Sequence, residues 1–307
     1  MAKDIRRIEH SVVFGTHAGV FHADDVFAAA VLLEVNPLAS IVRTRDPKIL
    51  TTCDVVFDVG GEHNPEEGRF DHHQRGRAGT RPNGVPYSSF GLVWREYGEK
   101  LCGGALDEVR LVDEALVQAV DLTDNGEMLY EGGTKRFVGA NQYSISAAVS
   151  SFNPTWMESG RSFDAAFEEA VAFAKKILRR EIMSAFSNLA AKNLIREAIL
   201  KADGGSIVVL SKFVPWSDQV RDEAPNALFV IFLSEEGTWM VQAVNKTAGT
   251  FESRKLLPES WAGLRGKAFS EAVGIPDGVF CHPGRFICGA ESRDSALRLA
   301  RSAVAAA

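Results

Sequence analysis

The amino-acid sequence predicts a two-domain α/β protein in which a long helix joins an N-terminal parallel-sheet domain to a smaller α/β C-terminal domain. Short β-branched apolar runs alternate with helical patterns in the first half, and this alternation is typical of a parallel sheet with right-handed crossovers. One long helical pattern then precedes a second set of strands. We expect domains at residues 1–160 and 204–307, a connecting helix at 161–203, and an active site in the cleft between the domains.

The elements of the first half are predicted from the spacing of apolar residues and from the glycine, proline and acidic residues at the ends of these patterns. The helix from Ala23 to Val35 has Asp24 and Asp25 in its first turn, where carboxylates suit the helix dipole, and Pro37 ends it. A polar loop rich in glycine and proline covers residues 62–86. The other predicted elements are strands at residues 11–16, 41–44 and 55–59 and helices at residues 88–97 and 106–120.

In the second half, apolar residues recur at helical spacing from Ser162 to about Ala202, and Gly204-Gly205 ends this pattern. Runs rich in β-branched residues then alternate with turn signals. We predict strands at residues 207–210, 227–233, 239–244, 279–282 and 285–288 and a closing helix at 292–304.

The composition is that of a globular protein that does not span a membrane. The chain has 307 residues, of which 46% are hydrophobic and 24% charged, so it can bury two cores. Its net charge of −6 argues against nonspecific adhesion to nucleic acid through overall charge. Four cysteines without a CxxC pair favour reduced thiols over disulfides or a thiolate zinc site. We therefore expect a cytoplasmic protein with no signal peptide and no membrane span.

Acidic and histidine side chains follow several of the apolar runs. His17, His22 and Asp24 come after the first strand, Asp58 ends the run Val55-Val56-Phe57, and further along lie Asp71-His72-His73 and Asp121. Open α/β sheets place their sites beyond the carboxyl ends of the strands, which brings His17 and Asp58 together. Imidazoles and carboxylates without thiolates are suitable ligands for two hard or borderline divalent metal ions.

Each cluster alone also has a simpler interpretation. Asp24 could cap a helix beside two incidental histidines. Asp58 could be a turn-forming residue without a functional role. Asp121 has a rival in Asp124, since Asp124-Asn125-Gly126 is a turn signal in its own right. The conjunction favours a metal site, because four of the seven histidines fall in the two histidine motifs.

These motifs together resemble a known family. They are Thr16-His17-x4-His22-x-Asp24, Asp58-Val59-Gly60-Gly61, Phe70 to Arg75, and Asp121-x2-Asp124-Asn125-Gly126, followed in the second half by Val241 to Val244, Phe251 to Lys255, Leu257-Pro258, Gly274 to Pro276 and Phe286-Ile287. The pattern resembles the Myg family, the melanocyte-proliferating-gene type of DHH-like metal-dependent hydrolases and exonucleases within the DHH phosphoesterase superfamily. The resemblance spans nearly the whole chain.

The resemblance implies two divalent metal ions, with manganese the first choice and magnesium an alternative. It implies that Asp58 bridges both ions, that His73 faces the substrate phosphate and that Asp71 orients its neighbours. These three residues are the implied catalytic set. The implied metal ligands are His17, His22 and Asp58 for one ion and Asp24, Asp58, His72 and Asp121 for the other.

Substrate contacts are expected in the C-terminal half, where related enzymes carry a glycine-rich segment. The matching stretch, residues 282–290, departs from that pattern: Cys288 replaces a glycine, Ala290 a polar residue and Arg285 a small residue. A guanidinium can bind phosphate with two parallel hydrogen bonds. Trp216, Trp239 and Trp261 could stack on bases or pack in the core. The candidate substrate-binding residues are Arg75, Arg254, Lys255, His282 and Arg285.

The function implied by the resemblance is that of a metal-dependent phosphoesterase, an exonuclease acting on RNA or short single-stranded nucleic acid. Two alternatives stay open. One is a small-molecule phosphohydrolase acting on pyrophosphate, polyphosphate or a nucleotide, which the acidic net charge favours. The other is a non-catalytic regulator that binds metal or nucleotide. A homodimer is also open.

Overall fold

The computed structural model describes residues 11–127 and 143–306, and it confirms a two-domain α/β fold. Contacts divide the chain within its longest helix, so that one compact unit ends at Ala185 and the next begins at Phe186. The boundaries drawn from the sequence, at 160/161 and 203/204, stay a prediction. The cleft between the domains stays a prediction as well.

The sheet of the first unit has the order β2-β1-β3-β5-β4. Neighbouring strands run parallel except for β4, which pairs antiparallel with β5 at one edge. The sheet is therefore mixed, and the region expected to be only a loop contributes two of its strands, since two-residue strands leave no alternating pattern to read. The strands are β1 Val13–Thr16, β2 Ser40–Arg43, β3 Val55–Phe57, β4 His63–Asn64 and β5 Arg69–Phe70.

Helix α1 has the predicted bounds, Ala23–Val35, and nearly all of it is buried. The predicted helix at 106–120 is instead three consecutive segments, because a π-helical turn at Asp113–Val117 separates α4 from α5. The remaining helices of this region are α2 Pro47–Leu50, α3 Ser89–Leu101, α4 Leu106–Val112, α5 Gln118–Asp124, α6 Ile145–Ser150 and α7 Phe163–Ala202.

The first core is rich in aromatic side chains. Phe27 of α1 stacks on Phe90 of α3 with ring centroids 5.1 Å apart, and Phe70 of β5 meets Tyr97 edge-on at 5.8 Å. The first part of α7 adds buried residues, including Phe167, to this core. Direct parallel pairing of β1 with β3 fixes the carboxyl ends of these two strands relative to each other.

The second unit has a five-stranded sheet of order β6-β7-β8-β10-β9, in which β6 and β7 are parallel and the other pairs antiparallel. The last part of α7 belongs to a core cluster that contains Trp216, and α10 belongs to another that contains Trp261. No helix in the described ranges has the length and apolar character that crossing a bilayer requires. The elements are β6 Ile207–Val209, β7 Phe229–Leu233, β8 Trp239–Ala243, β9 Gly278–Cys281, β10 Ile287–Ala290, α8 Ser217–Glu223, α9 Gly266–Val273 and α10 Arg293–Ala305.

Candidate metal centre

The candidate centre is built where β1 and β3 end and α1 begins. His17 follows β1 directly, and Gly19, with φ of +93°, turns the chain so that it enters α1 after His22. Asp58 follows β3 in a left-handed conformation, φ +55°, which costs a non-glycine residue about 1–3 kcal/mol. Backbone strain of this kind is concentrated at functional sites.

Asp58 lies between two imidazoles. Its Oδ2 is 3.2 Å from His17 Nε2, whereas its Oδ1 is 3.4 Å from His72 Nε2 and accepts a hydrogen bond of 3.1 Å from Ser89 Oγ. Burial would raise the pKa of Asp58, but hydrogen bonds from His17 and His72 hold it well below its ordinary value. Because its two oxygens face different histidines, this carboxylate has the geometry of a bridge between two ligand sets.

Asp24 is fully buried, and neither of its carboxylate oxygens has a hydrogen-bond partner within the described part of the chain. Burial raises its pKa well above the ordinary value, and the neighbouring carboxylates of Asp58, Asp124 and Asp25 raise it further. Its nearest basic group, His72 Nε2, lies 3.7 Å from Oδ2, and a buried charge without hydrogen bonds is costly. A divalent cation would remove that cost, so the chemistry of Asp24 fits a metal ligand.

The structure brings Asp124, rather than Asp121, into the cluster. Asp124 Oδ2 lies 3.1 Å from His72 Nε2, and ligand atoms of His22, Asp24 and Asp124 all lie within 4.8 Å of one another. Asp121 and Asp124 both belong to α5, and Asp124 is the last residue of this helix.

Asp121 instead faces helix α3. Its Oδ1 accepts hydrogen bonds from Ser88 Oγ at 2.5 Å and from the Gly91 amide at 3.0 Å, and its Oδ2 lies 2.8 Å from Arg81 Nη1. Burial raises its pKa to about 6, although Arg81 opposes this rise. Oδ1 is therefore hydrogen-bonded twice, and Oδ2 is ion-paired with Arg81. Among the described residues, Asp121 is not part of the groups of side chains whose ligand atoms lie within 4.8 Å of one another, and its implied ligand role stays a prediction.

Asp25 belongs to the centre but was not among the predicted ligands. Its Oδ2 lies 3.1 Å from His17 Nε2, and its Oδ1 accepts a hydrogen bond of 2.9 Å from the His22 amide. Burial lowers the pKa of His17, but hydrogen bonds to Asp25 and Asp58 outweigh it and raise the pKa to about 10. The pair of acidic residues that opens α1 was the available signal, and it does not show which of them faces His17.

Asp71 organises the loop that carries the adjacent histidines. It accepts hydrogen bonds from the amides of Gly61 at 2.5 Å, His72 at 2.7 Å and His73 at 3.1 Å, and its Oδ1 is 2.8 Å from His73 Nδ1. The hydrogen bond to Asp71 raises the pKa of His73. The side chain of His73 is 62% exposed, so the ring is anchored through Nδ1 while Nε2 is left for another partner.

Four overlapping groups of side chains in this centre can hold metal ions, since their ligand atoms lie within 4.8 Å of one another. All are nitrogen and oxygen donors; imidazole nitrogens suit manganese or zinc, and carboxylate oxygens suit manganese or magnesium. The groups are His17, His22 and Asp58; Asp58, His72 and His73; His22, Asp24 and Asp124; and Asp24, Asp25 and Asp58.

Two cavities of about 750 and 330 Å³ lie against the centre, and His22, Asp58 and His73 line both. Gln74 and Arg77 line the larger cavity. Arg75 is exposed and contributes to the lining of neither. Of the basic residues near the adjacent histidines, Arg77 is thus better placed than Arg75 to meet a substrate.

The predicted substrate residues of the second unit have varied surroundings. Arg254 donates hydrogen bonds to backbone carbonyls of residues 221, 224 and 227, and Lys255 Nζ donates to those of residues 304 and 306, so both side chains brace the backbone. Nδ1 of His282 accepts from the Gly284 amide at 2.9 Å. Arg285 is half-buried with φ of +57°, and this turn delays the last strand to Ile287.

The predicted tryptophans differ in burial. Trp216 and Trp261 are core residues, 3% and 6% exposed, whereas Trp239 is half-buried. Burial leaves Trp216 and Trp261 little surface on which a base could stack.

The chain matches known sequences over nearly its full length. The model for the MYG1 exonuclease family, described as "Uncharacterised protein family (UPF0160)", matches residues 13–304. The MYG1 exonuclease of Mus musculus is 38% identical to this chain over 95% of the chain and 84% of its own length. The MYG1 exonuclease of Homo sapiens is 37% identical over 95% of the chain and 85% of its own length. A MYG1 protein of Schizosaccharomyces pombe is 34% identical over 95% of this chain and 97% of its own. No solved structure matches the chain.

Proposed function

The chain belongs to the MYG1 exonuclease family, and from this premise we propose that it is a metal-dependent exonuclease. The substrate would be RNA or another short single-stranded nucleic acid. The observation that carries the proposal is the position of Asp58, whose two carboxylate oxygens face His17 on one side and His72 on the other. This arrangement supports a pair of metal ions, which is a common solution for phosphodiester hydrolysis.

We assign His17, His22 and Asp58 to one ion and Asp24, Asp58, His72 and Asp124 to the other, with manganese the first choice. Two ions at such a site supply an activated water molecule and neutralise the charge on a phosphate. Asp124 replaces Asp121 in this assignment, because Asp124 Oδ2 lies 3.1 Å from His72 Nε2, whereas Asp121 Oδ2 is ion-paired with Arg81.

The chain's own residues would position the ligands and the substrate. Asp25 holds the imidazole of His17, since its Oδ2 is 3.1 Å from Nε2 of that ring. Asp71 fixes His73 through Nδ1, which leaves Nε2 to donate a hydrogen bond to a phosphate oxygen. The hydrogen bond to Asp71 raises the pKa of His73, and a cationic His73 would stabilise the negative charge on the phosphoryl oxygens.

A small phosphorylated molecule is the second candidate substrate. The larger cavity, about 750 Å³, lies within the range of about 300–1,000 Å³ that small-molecule sites usually have. The net charge of −6 also disfavours long-range attraction of nucleic acid. Pyrophosphate and a mononucleotide therefore belong in the same assay as the oligonucleotides.

The test combines a substrate panel with one variant at the shared ligand. The protein is incubated with manganese and, separately, with end-labelled oligoribonucleotide, single-stranded DNA, a nitrophenyl phosphodiester and pyrophosphate. Asp58→Asn should lower cleavage at least about 100-fold, and elemental analysis should find fewer than two tightly bound ions per chain. Asp107→Asn, at a residue whose side chain is 74% exposed on α4, is the matched control.

The panel separates the outcomes. Stepwise shortening of the labelled oligoribonucleotide supports the exonuclease. Cleavage of pyrophosphate alone would identify the small-molecule alternative, and no cleavage of any substrate by metal-loaded protein would indicate the regulator. Retention of two tight ions and full activity by Asp58→Asn would overturn the shared-ligand assignment.

A further inference from the structure

The second unit contains a cavity of about 460 Å³ that the candidate metal centre does not involve. Its apolar walls include Leu194, Val209, Leu210 and Val214, and the half-buried Trp239 adds an aromatic surface. Lys201, Lys212 and Arg293 bring positive charge, whereas Glu197 is the acidic residue among the lining side chains. An apolar cavity with a few charged groups is the usual form of a small-molecule site.

The fold explains why these groups meet. Lys212 follows the carboxyl end of β6, and Arg293 follows the carboxyl end of β10. Trp239 begins β8, which is antiparallel to β7 and β10, and it pairs with Leu233 and Ala290 at the last positions of those strands. The three side chains therefore come from the same end of the sheet, where β6, β7 and β10 have their carboxyl ends. The turn of residues 282–286 precedes β10 and so lies at the opposite end.

Two of the three basic side chains that line this cavity lack an ion-pair partner among the described residues. No described residue forms an ion pair with Lys212 or Arg293, whereas Lys201 lies 3.8 Å from Glu197. Arg293 is the first residue of α10, where a cation meets the positive end of the helix dipole, and the adjacent Asp294 offsets part of this repulsion. An anion bound between Lys212 and Arg293 would interact favourably with both side chains and with the helix.

We propose that this cavity binds a nucleoside monophosphate unit, with the base against Trp239 and the phosphate between Lys212 and Arg293. The apolar walls and the indole select a ligand with a planar ring over inorganic phosphate, because base–aromatic stacking is worth about 1–3 kcal/mol per base. The two cations select a phosphorylated ligand over a nucleoside. The site does not depend on the proposed catalytic function.

The test is binding by isothermal titration calorimetry to the full-length protein in EDTA, which prevents any metal-dependent hydrolysis. The probes are adenosine monophosphate, adenosine, inorganic phosphate and a short single-stranded oligonucleotide. Adenosine monophosphate should bind more tightly than adenosine or phosphate. Lys212→Ala and Arg293→Ala should each weaken its binding about tenfold or more. Lys267→Ala, at an 88% exposed lysine of α9, is the matched control and should bind as the wild type does.

Changes at the tryptophan test the stacking. Trp239→Leu should weaken the binding of adenosine monophosphate and leave the binding of phosphate unchanged. Trp239→Phe keeps an aromatic ring and should largely retain the binding of both ligands. The phenylalanine variant keeps the test valid if the leucine variant fails to fold. Competition between the oligonucleotide and adenosine monophosphate would identify the ligand as a strand terminus, whereas binding of the monophosphate alone would identify a free nucleotide.

Two outcomes overturn the proposal. One is the absence of measurable binding at millimolar adenosine monophosphate. The other is binding that Asp58→Asn abolishes while Lys212→Ala and Arg293→Ala leave it intact, since the ligand would then occupy the metal centre. A failure of the proposed exonuclease function changes neither result, because these titrations contain no metal and measure no cleavage.

Discussion

Replacing Asp124 by asparagine and, separately, Asp121 by asparagine distinguishes a metal ligand from a structural carboxylate three residues away on the same helix. Both substitutions remove one negative charge and keep the side-chain shape. Asp124 Oδ2 lies 3.1 Å from His72 Nε2 within the ligand cluster, whereas Asp121 is held by Ser88, Gly91 and Arg81. The two variants should therefore fail in different ways.

The expected magnitudes follow from these contacts. Changes to groups that only support a metal ligand usually cost 10–100-fold in affinity, so loss of the ligand Asp124 should weaken manganese binding at least about 100-fold, or about 2.7 kcal/mol. Asp121→Asn cannot accept from all three donors, because one of its two terminal atoms becomes an amide. Arg81 keeps its hydrogen bonds to Asp113 but loses the buried charge of Asp121, and stability should fall by about 1–3 kcal/mol.

Two measurements show which of the two carboxylates is a metal ligand and which is structural. Manganese affinity and stoichiometry come from calorimetry on metal-stripped protein, and stability comes from urea unfolding in EDTA. Asp124→Asn should unfold at nearly the wild-type midpoint, or at a higher one, since it relieves repulsion from Asp24. Asp121→Asn should keep wild-type metal stoichiometry and unfold at lower urea. The reverse pattern, with metal lost in Asp121→Asn and retained in Asp124→Asn, would refute the reasoning.

Three further predictions test the surroundings of the centre and the core. Gly91→Ala should destabilise the protein by about 1–3 kcal/mol, because the added Cβ would lie 2.0 Å from Asp121 Oδ2. Glu99→Ala, on the exposed side of α3, is the control and should not; equal midpoints of urea unfolding for the two variants would contradict the prediction. His72→Ala should lose bound manganese, whereas His73→Ala should keep it by elemental analysis and lower turnover at least about tenfold; equal metal loss would show that the roles are not divided. Native protein at pH 8 should react slowly with a thiol reagent and expose four reactive thiols only in denaturant, because burial raises the pKa of every cysteine; fast reaction of the native protein would contradict this. For Cys102 and Cys281, the stability linked to the raised pKa is present below pH 9.0 and is lost as pH rises through about 11. The cysteines are Cys53, Cys102, Cys281 and Cys288, and the raised pKa is about 11 for Cys102 and Cys281.

The sequence alone determined the elements whose cause is local. Helix α1 has its predicted bounds because an unbroken apolar run, two acidic residues in the first turn and a following proline all act within one segment. The proximity of His17 and Asp58 also followed, since each comes directly after one of two parallel strands, β1 and β3, which are neighbours in the sheet. Short strands such as β4 and β5 carry too few residues for a pattern, and they were missed.

Only the tertiary structure decided which side chain does what. Asp121 and Asp124 lie on one short helix, and the packing of that helix against α3 turns Asp121 toward Arg81 while Asp124 meets His72. Arg254 could have been a substrate contact from its charge, but its guanidinium donates to backbone carbonyls more than 20 positions away along the chain. Local pattern fixes where a helix or strand forms, because its causes are neighbours in sequence. The direction of a carboxylate or guanidinium depends on partners from distant segments, which only packing brings within reach.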